Sequence, residues 1–141
     1  MKNKLILSKQ CAMRQHKGQY RKNNKTPYWH HLRDVVNNLE MMGIKDESIL
    51  CAGWLHDSIE DTSFDYDDVS KFFGKKVAQI VSDLTKETRL PKNQQEQNYL
   101  KQLAKSSWQS KVVKFADILA NVSDLKNSEL NQKQKIIQVK Y

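Results

Sequence analysis

Residues 49–61 read ILCAGWLHDSIED. The first seven, Ile49 to Leu55, are all apolar or small. No helical face is left for water, so the segment reads as a helix buried on every side. The next six residues carry His56, Asp57, Glu60 and Asp61. Burying one unpaired carboxylate costs several kcal/mol, against the roughly 5–15 kcal/mol that holds a small domain together. A polar cluster at the end of a core helix therefore requires compensation. Read as one helix over 47–60, the stretch stacks His56 over Glu60 and Asp57 over Asp61, four residues apart.

Working outward, the same helical grammar covers the chain. Its 141 residues suffice for one domain with one core, spanning 1–141. Four Gly and two Pro argue for helices joined by short loops. Nothing alternates with period two long enough for a sheet, so the fold class is all-α. A first helix covers about 3–17 and ends near Gly18. Thr26 reads as an N-cap with Pro27 at the first helical position, and Tyr28, His31, Leu32, Val35, Leu39 and Met42 then recur at three- and four-residue steps. Gly43 is a fitting stop. Asp46 caps the central helix, and Asp65 with Asp68 forms an acidic capping box before a short helix ending at Gly74. Val77, Ile80, Val81 and Leu84 make another stripe, and a polar helix covers about 94–104. The last strong helix, about 109–126, carries Val112, Val113, Phe115, Ala116, Ile118, Leu119, Val122 and Leu125, which read as mostly buried. Trp54 and Trp108 are core candidates. The terminal NQKQKIIQVKY begins one more helix.

The net charge of +8 favours an anionic partner without naming it. Its distribution is uneven. Arg14, Lys17, Arg21, Lys22 and Lys25 lie with His16 in a stretch free of acids, whereas 56–68 holds Asp57, Glu60, Asp61, Asp65, Asp67 and Asp68 with no basic residue. No run approaches the roughly 20 apolar residues of a membrane span, and MKNKLILSKQ is no signal peptide. Cys11 and Cys51 fit no CxxC spacing and read as reduced thiols of a cytoplasmic protein.

The late helix repeats the oddity of the opening stretch. Asp117 and Asn121 are four apart inside VVKFADILANV, Asp124 follows one turn later, and His31 puts a polar atom on the apolar face of a third helix. Each has a plain structural reading: a hydrogen-bonded core histidine, an exposed helix end, a solvated charge. A divalent metal explains them together, since it takes imidazoles and carboxylates converging from separate helices and offsets their buried charge.

With those residues in view, the chain resembles the HD-domain phosphohydrolases. Within them it is similar to the ppGpp hydrolase domain of RelA/SpoT-type proteins, above all the stand-alone small alarmone hydrolases typified by the metazoan SpoT homologue. The resemblance rests on HKGQYRKNNKTPYWHH (16–31), AGWLHDSIEDT (52–62), FG (73–74), RLPK (89–92) and VKFADILANVSDL (113–125), in order. It implies an HD-domain helical bundle with one Mn²⁺ held by His31, His56, Asp57 and Asp117. It implies that Glu60 and Asp61 position or deprotonate the attacking water, and that Arg21, Lys22, Asn121 and Lys92 contact the substrate. All four histidines lie at or before residue 56, which agrees with a one-metal site.

The implied reaction removes the 3′-pyrophosphate of ppGpp or pppGpp, giving GDP or GTP and pyrophosphate. Two ligand carboxylates neutralise the ion, so Glu60 and Asp61 leave the pocket near −2, and the Arg14–Lys25 cluster supplies the attraction an anionic substrate needs. Gly53 stands where the family usually has Ala, which loosens the central helix by up to about 1 kcal/mol; Ala120 replaces a larger residue beside Asn121, which points to an altered nucleotide pocket. The family usually continues through further helices, so a second subunit completing the pocket, a homo-oligomer, is one expectation. Other readings are an HD hydrolase for an adenine alarmone or NADPH, an inactive alarmone binder, and a basic nucleic-acid module. The last gives no reason for two histidines and two aspartates to converge.

Overall fold

A computed structural model describes residues 3–126. They form eight helices: α1 (Lys4–Gln15), α2 (Trp29–Met41), α3 (Glu47–Leu55), α4 (Ser58–Asp61), α5 (Tyr66–Phe73), α6 (Lys75–Asp83), α7 (Lys92–Lys105) and α8 (Trp108–Lys126). The all-α class holds, and a lone Tyr20–Pro27 bridge is the one β-type pairing among the described residues.

The caps explain where helices begin. Asp46 accepts from the Ser48 and Ile49 amides, satisfying two of the amides that α3 leaves unpaired at its start. Asp65 and Asp68 form the expected capping box at α5. Gly43 and Gly74 adopt φ of +88° and +99°, the left-handed region that ends a helix cheaply only with glycine.

α3 is the axis of the bundle. Every residue from Ile49 to Leu55 is buried, against α1, α2, α6 and α8. At Gly53 α3 approaches α2 closely: a Cβ there would stand 3.0 Å from Leu39 Cδ1 and Val36 Cγ2. The residue is thus more than a loss of helix propensity, because its missing side chain sets the α2–α3 approach. Leu32, Val35, Val36 and Leu39 line the facing side of α2. Cys51 and Cys11 are both buried and free. Trp54 is a core residue at 5% exposure.

Three expectations are corrected. The helix over 47–60 is interrupted: α3 stops at Leu55, His56 and Asp57 form a turn, and α4 restarts at Ser58. Side chains cover the break. Ser58 Oγ donates to the Leu55 carbonyl at 2.7 Å and His56 Nδ1 bonds the Gly53 carbonyl at 2.9 Å. His56 is therefore buried while Glu60 is exposed, and the two do not stack as one continuous helix would require. Second, Thr26 does not cap α2. Its carbonyl accepts from the Arg21 amide at 2.8 Å, closing the loop, and α2 starts at Trp29 with Tyr28 as N-cap. Third, the apolar residues that α8 buries form a narrow seam, Val113, Ala116 and Ala120, while Phe115 (53%), Ile118 (46%), Leu119 (37%) and Trp108 (61%) are exposed. One side of α8 packs on α2, α3 and α6. Ala120 is buried in this core seam. The expected burial of Leu125 and the helix beginning after Asn131 lie outside the described side chains and residues.

Candidate metal centre

Three helices deliver polar groups to one point beside α3. α2 contributes His31, the turn that closes α3 contributes His56, and α8 contributes Asp117, at 4%, 3% and 9% exposure. The packing of α2 on α8 and of α3 on both sets their separation. His31 Nε2 lies 2.7 Å from Asp117 Oδ1, and His56 Nε2 lies 3.3 Å from the same oxygen. One ligand atom from each of the three falls within 4.8 Å of the others.

The hydrogen bonds define what this cluster lacks. The Gly53 carbonyl only accepts, so His56 Nδ1 carries the hydrogen and Nε2 faces the carboxylates. Asp117 Oδ1 and Asp57 Oδ2 each stand 3.3 Å from that nitrogen. A neutral imidazole would aim its lone pair at two anionic oxygens. A positive group must stand between them, either a proton or a metal ion. Burial alone would lower the His56 pKa, but the Asp57 and Asp117 charges outweigh it and push it up to about 9. Burial would likewise raise Asp117, yet the hydrogen bonds from His31 and His56 hold its carboxyl well below the usual carboxylate range. Two imidazole nitrogens with a buried carboxylate, one imidazole oriented by a backbone carbonyl, form the donor set that a divalent first-row metal takes. The residues present fit such an ion.

Asp57 stands at the helix break and is partly buried. The Tyr28 hydroxyl donates to its Oδ2. Burial and the nearby Asp57 charge push the Tyr28 phenol far above its ordinary value, so it remains a donor. Lys114 Nζ lies 3.5 Å from Asp117 Oδ2 and 5.2 Å from the Tyr99 ring centre. Neither Tyr28 nor Lys114 stood out in the sequence as a site residue. The available signal was helical phase, because each precedes a predicted ligand by three residues.

Glu60 and Asp61 occupy α4 at the rim of the cluster and are exposed. Partial burial, then the charges of Asp61 and Asp57, raise Glu60. Partial burial and Asp57 raise Asp61. Glu60 also borders a cleft of about 520 Å³ that Lys86 and Arg89 help to line.

The basic loop over 19–28 folds back on itself through the Arg21–Thr26 bond and a Tyr28 amide bond to the Gln19 carbonyl at 2.9 Å. Arg21 leaves it toward α8. Its Nη2 donates to Asn121 Oδ1 at 3.1 Å and to Asp124 Oδ2 at 3.0 Å, so two of the predicted substrate residues touch each other. Lys22 is exposed in the same loop, and Lys92 is exposed at the first residue of α7. His16 is buried at 3%, with Nδ1 2.8 Å from Gln19 Oε1 and Nε2 without a hydrogen-bond partner among the described residues.

Imidazoles and a carboxylate, gathered from separate parts of an all-helical bundle, define a helical protein with a candidate metal site. The chain belongs to the HD-domain family, whose model matches residues 9–140. It is 38% identical over 118 residues to the guanosine-3′,5′-bis(diphosphate) 3′-pyrophosphohydrolase MESH1 of Drosophila melanogaster, covering 82% of this chain and 66% of that one. It is 37% identical over 123 residues to the human protein of the same name, covering 86% and 69%. The chain thus spans about two thirds of the length of these relatives. Among solved structures it superposes on a metazoan orthologue of SpoT that hydrolyses ppGpp, with a TM-score of 0.85, 33% identity, and coverage of 98% of this chain and 80% of that one. No described helix is long and apolar enough to cross a membrane.

Proposed function

We propose that this chain is one HD domain over 1–141 that hydrolyses the 3′-pyrophosphate of ppGpp or pppGpp, releasing pyrophosphate and GDP or GTP, with one Mn²⁺ per chain. The observation that carries the reading is the meeting of His31, His56 and Asp117 within 4.8 Å in a fold shared with a ppGpp-hydrolysing protein. Asp57 completes the ligand set. Mn²⁺ bound there would supply a Lewis acid for a phosphoryl oxygen and lower the pKa of a water.

The chain's own groups supply the rest. Glu60, with its raised carboxyl, takes the proton of the attacking water, and Asp61 keeps that carboxyl raised and steers the water. Such a base is worth on the order of 10²–10⁴ in rate. Arg21 and Lys22 meet the anionic substrate, Asn121 holds Arg21 while contacting the nucleotide, and Lys92 adds a phosphate contact. The two free, buried thiols fit a reducing, cytoplasmic setting.

The test is pyrophosphate release from ppGpp with and without Mn²⁺. Release only with the ion supports the reading. A folded, metal-loaded protein that releases none is an alarmone binder or an enzyme for another nucleotide, and the reading falls.

A further inference from the structure

Asp57 poses a positional problem. It sits where α3 has ended and α4 has not begun, so regular helix geometry does not fix its carboxylate. Its Oδ2 is nevertheless placed 3.3 Å from His56 Nε2. The Tyr28 hydroxyl bonds that same oxygen across 29 residues of sequence.

Tyr28 does more than donate one hydrogen bond. It is the last residue before α2, joined through its amide to Gln19 at the other end of the basic loop. Its ring packs 5.6 Å from the His31 ring and 5.1 Å from the His16 ring. The Arg21 guanidinium lies 5.7 Å from the same ring centre, within cation–π range. One side chain therefore touches His31, Asp57 and Arg21. A tyrosine that merely fills space would be served equally by phenylalanine.

We infer that Tyr28 is a positioning residue that joins the basic loop to the metal site: its hydroxyl aims Asp57, and its ring is the platform on which Arg21 rests. The two halves of the role are separable by chemistry. The hydroxyl governs the ion's ligand, and the ring governs the cation that meets the substrate. This inference rests on the metal-centred reading above.

Mn²⁺ affinity, measured by the loss of the free-ion electron paramagnetic resonance signal during titration, separates these roles. Wild type is titrated first, beside Tyr28→Phe and Tyr28→Leu, with thermal melts of the metal-free proteins to confirm folding. Tyr28→Phe is expected to weaken Mn²⁺ binding by about 10–100-fold, the usual effect of losing an outer-shell partner, with KM for ppGpp at saturating Mn²⁺ within about twofold of wild type. Tyr28→Leu is expected to weaken Mn²⁺ equally and to raise KM as well. A Tyr28→Phe protein that binds Mn²⁺ like wild type overturns the inference and leaves the metal reading intact. A wild type that takes up no Mn²⁺ overturns both.

Discussion

His31 Nε2 and Asp117 Oδ1 stand 2.7 Å apart across the α2–α8 seam, although 86 residues separate them in sequence. That contact, with His56 behind it, sets two imidazoles against one buried carboxylate oxygen. In the metal-free protein the Asp57 and Asp117 charges favour a proton on His56.

The stability of the metal-free protein should therefore fall with rising pH. His56 has its folded pKa raised to about 9, above an unfolded value of about 6.5. The stability it adds is fully present below about pH 6.5 and is lost as pH rises through about 9. Thermal melts of metal-free protein between pH 6.5 and 9.5 should show Tm decreasing, on the order of 5 °C. With saturating Mn²⁺ the sign reverses, because the ion needs the deprotonated ring and its stabilisation grows with pH.

Replacing Asp117 with Ala should abolish measurable Mn²⁺ binding and activity together. It removes the oxygen that both imidazoles face and leaves two buried rings without a counter-charge. Metal-binding titration beside circular dichroism separates loss of the site from loss of the fold. Tight Mn²⁺ binding by a folded Asp117→Ala protein would contradict its place as a ligand.

Glu60→Gln should leave Mn²⁺ affinity within a few-fold of wild type and cut kcat by about 10²–10⁴. The basis is its exposed position on α4, outside the three-residue cluster. A variant that hydrolyses ppGpp at full speed removes Glu60 from the reaction.

The acid limb of the rate profile should respond to Asp61. A general base must be ionised, so activity falls as pH drops through the Glu60 pKa, which burial and then Asp61 raise above its ordinary value. Asp61→Asn removes a neighbouring negative charge, so that limb should move to lower pH even though the maximal rate also drops. A limb that stays in place or moves up would exclude Glu60 as its source.

Arg21→Ala should raise KM for ppGpp by about tenfold or more with a smaller change in kcat, since a charged contact to an anionic substrate is lost. Its effect on stability should be under about 1 kcal/mol, because its partner Asp124 is 57% exposed and such pairs are weak. Steady-state kinetics with a thermal melt reads both.

Much of the bundle was legible locally. The helix caps at Asp46 and Asp65, the stop at Gly43 and the all-buried run from Ile49 to Leu55 are short-range chemistry. The α8 surface was not, because hydrophobicity alone does not say how many neighbours a helix will have. Phe115 and Ile118 are as apolar as Val113 yet remain exposed. The break after Leu55 was also hidden. It depends on Ser58 and His56 bonding carbonyls that a continuous helix would have kept.

The residue types able to serve a metal site, and the helices that carry His31 and Asp117, were readable locally, because helical period and polarity are local properties. Helix packing alone brings His31, His56 and Asp117 together, sets the Tyr28 hydroxyl on Asp57 and carries Arg21 to Asn121. Those relations span tens of residues, up to a hundred for Arg21 and Asn121. They are set by the angles and distances at which α2, α3 and α8 pack, beginning with the close approach that Gly53 permits.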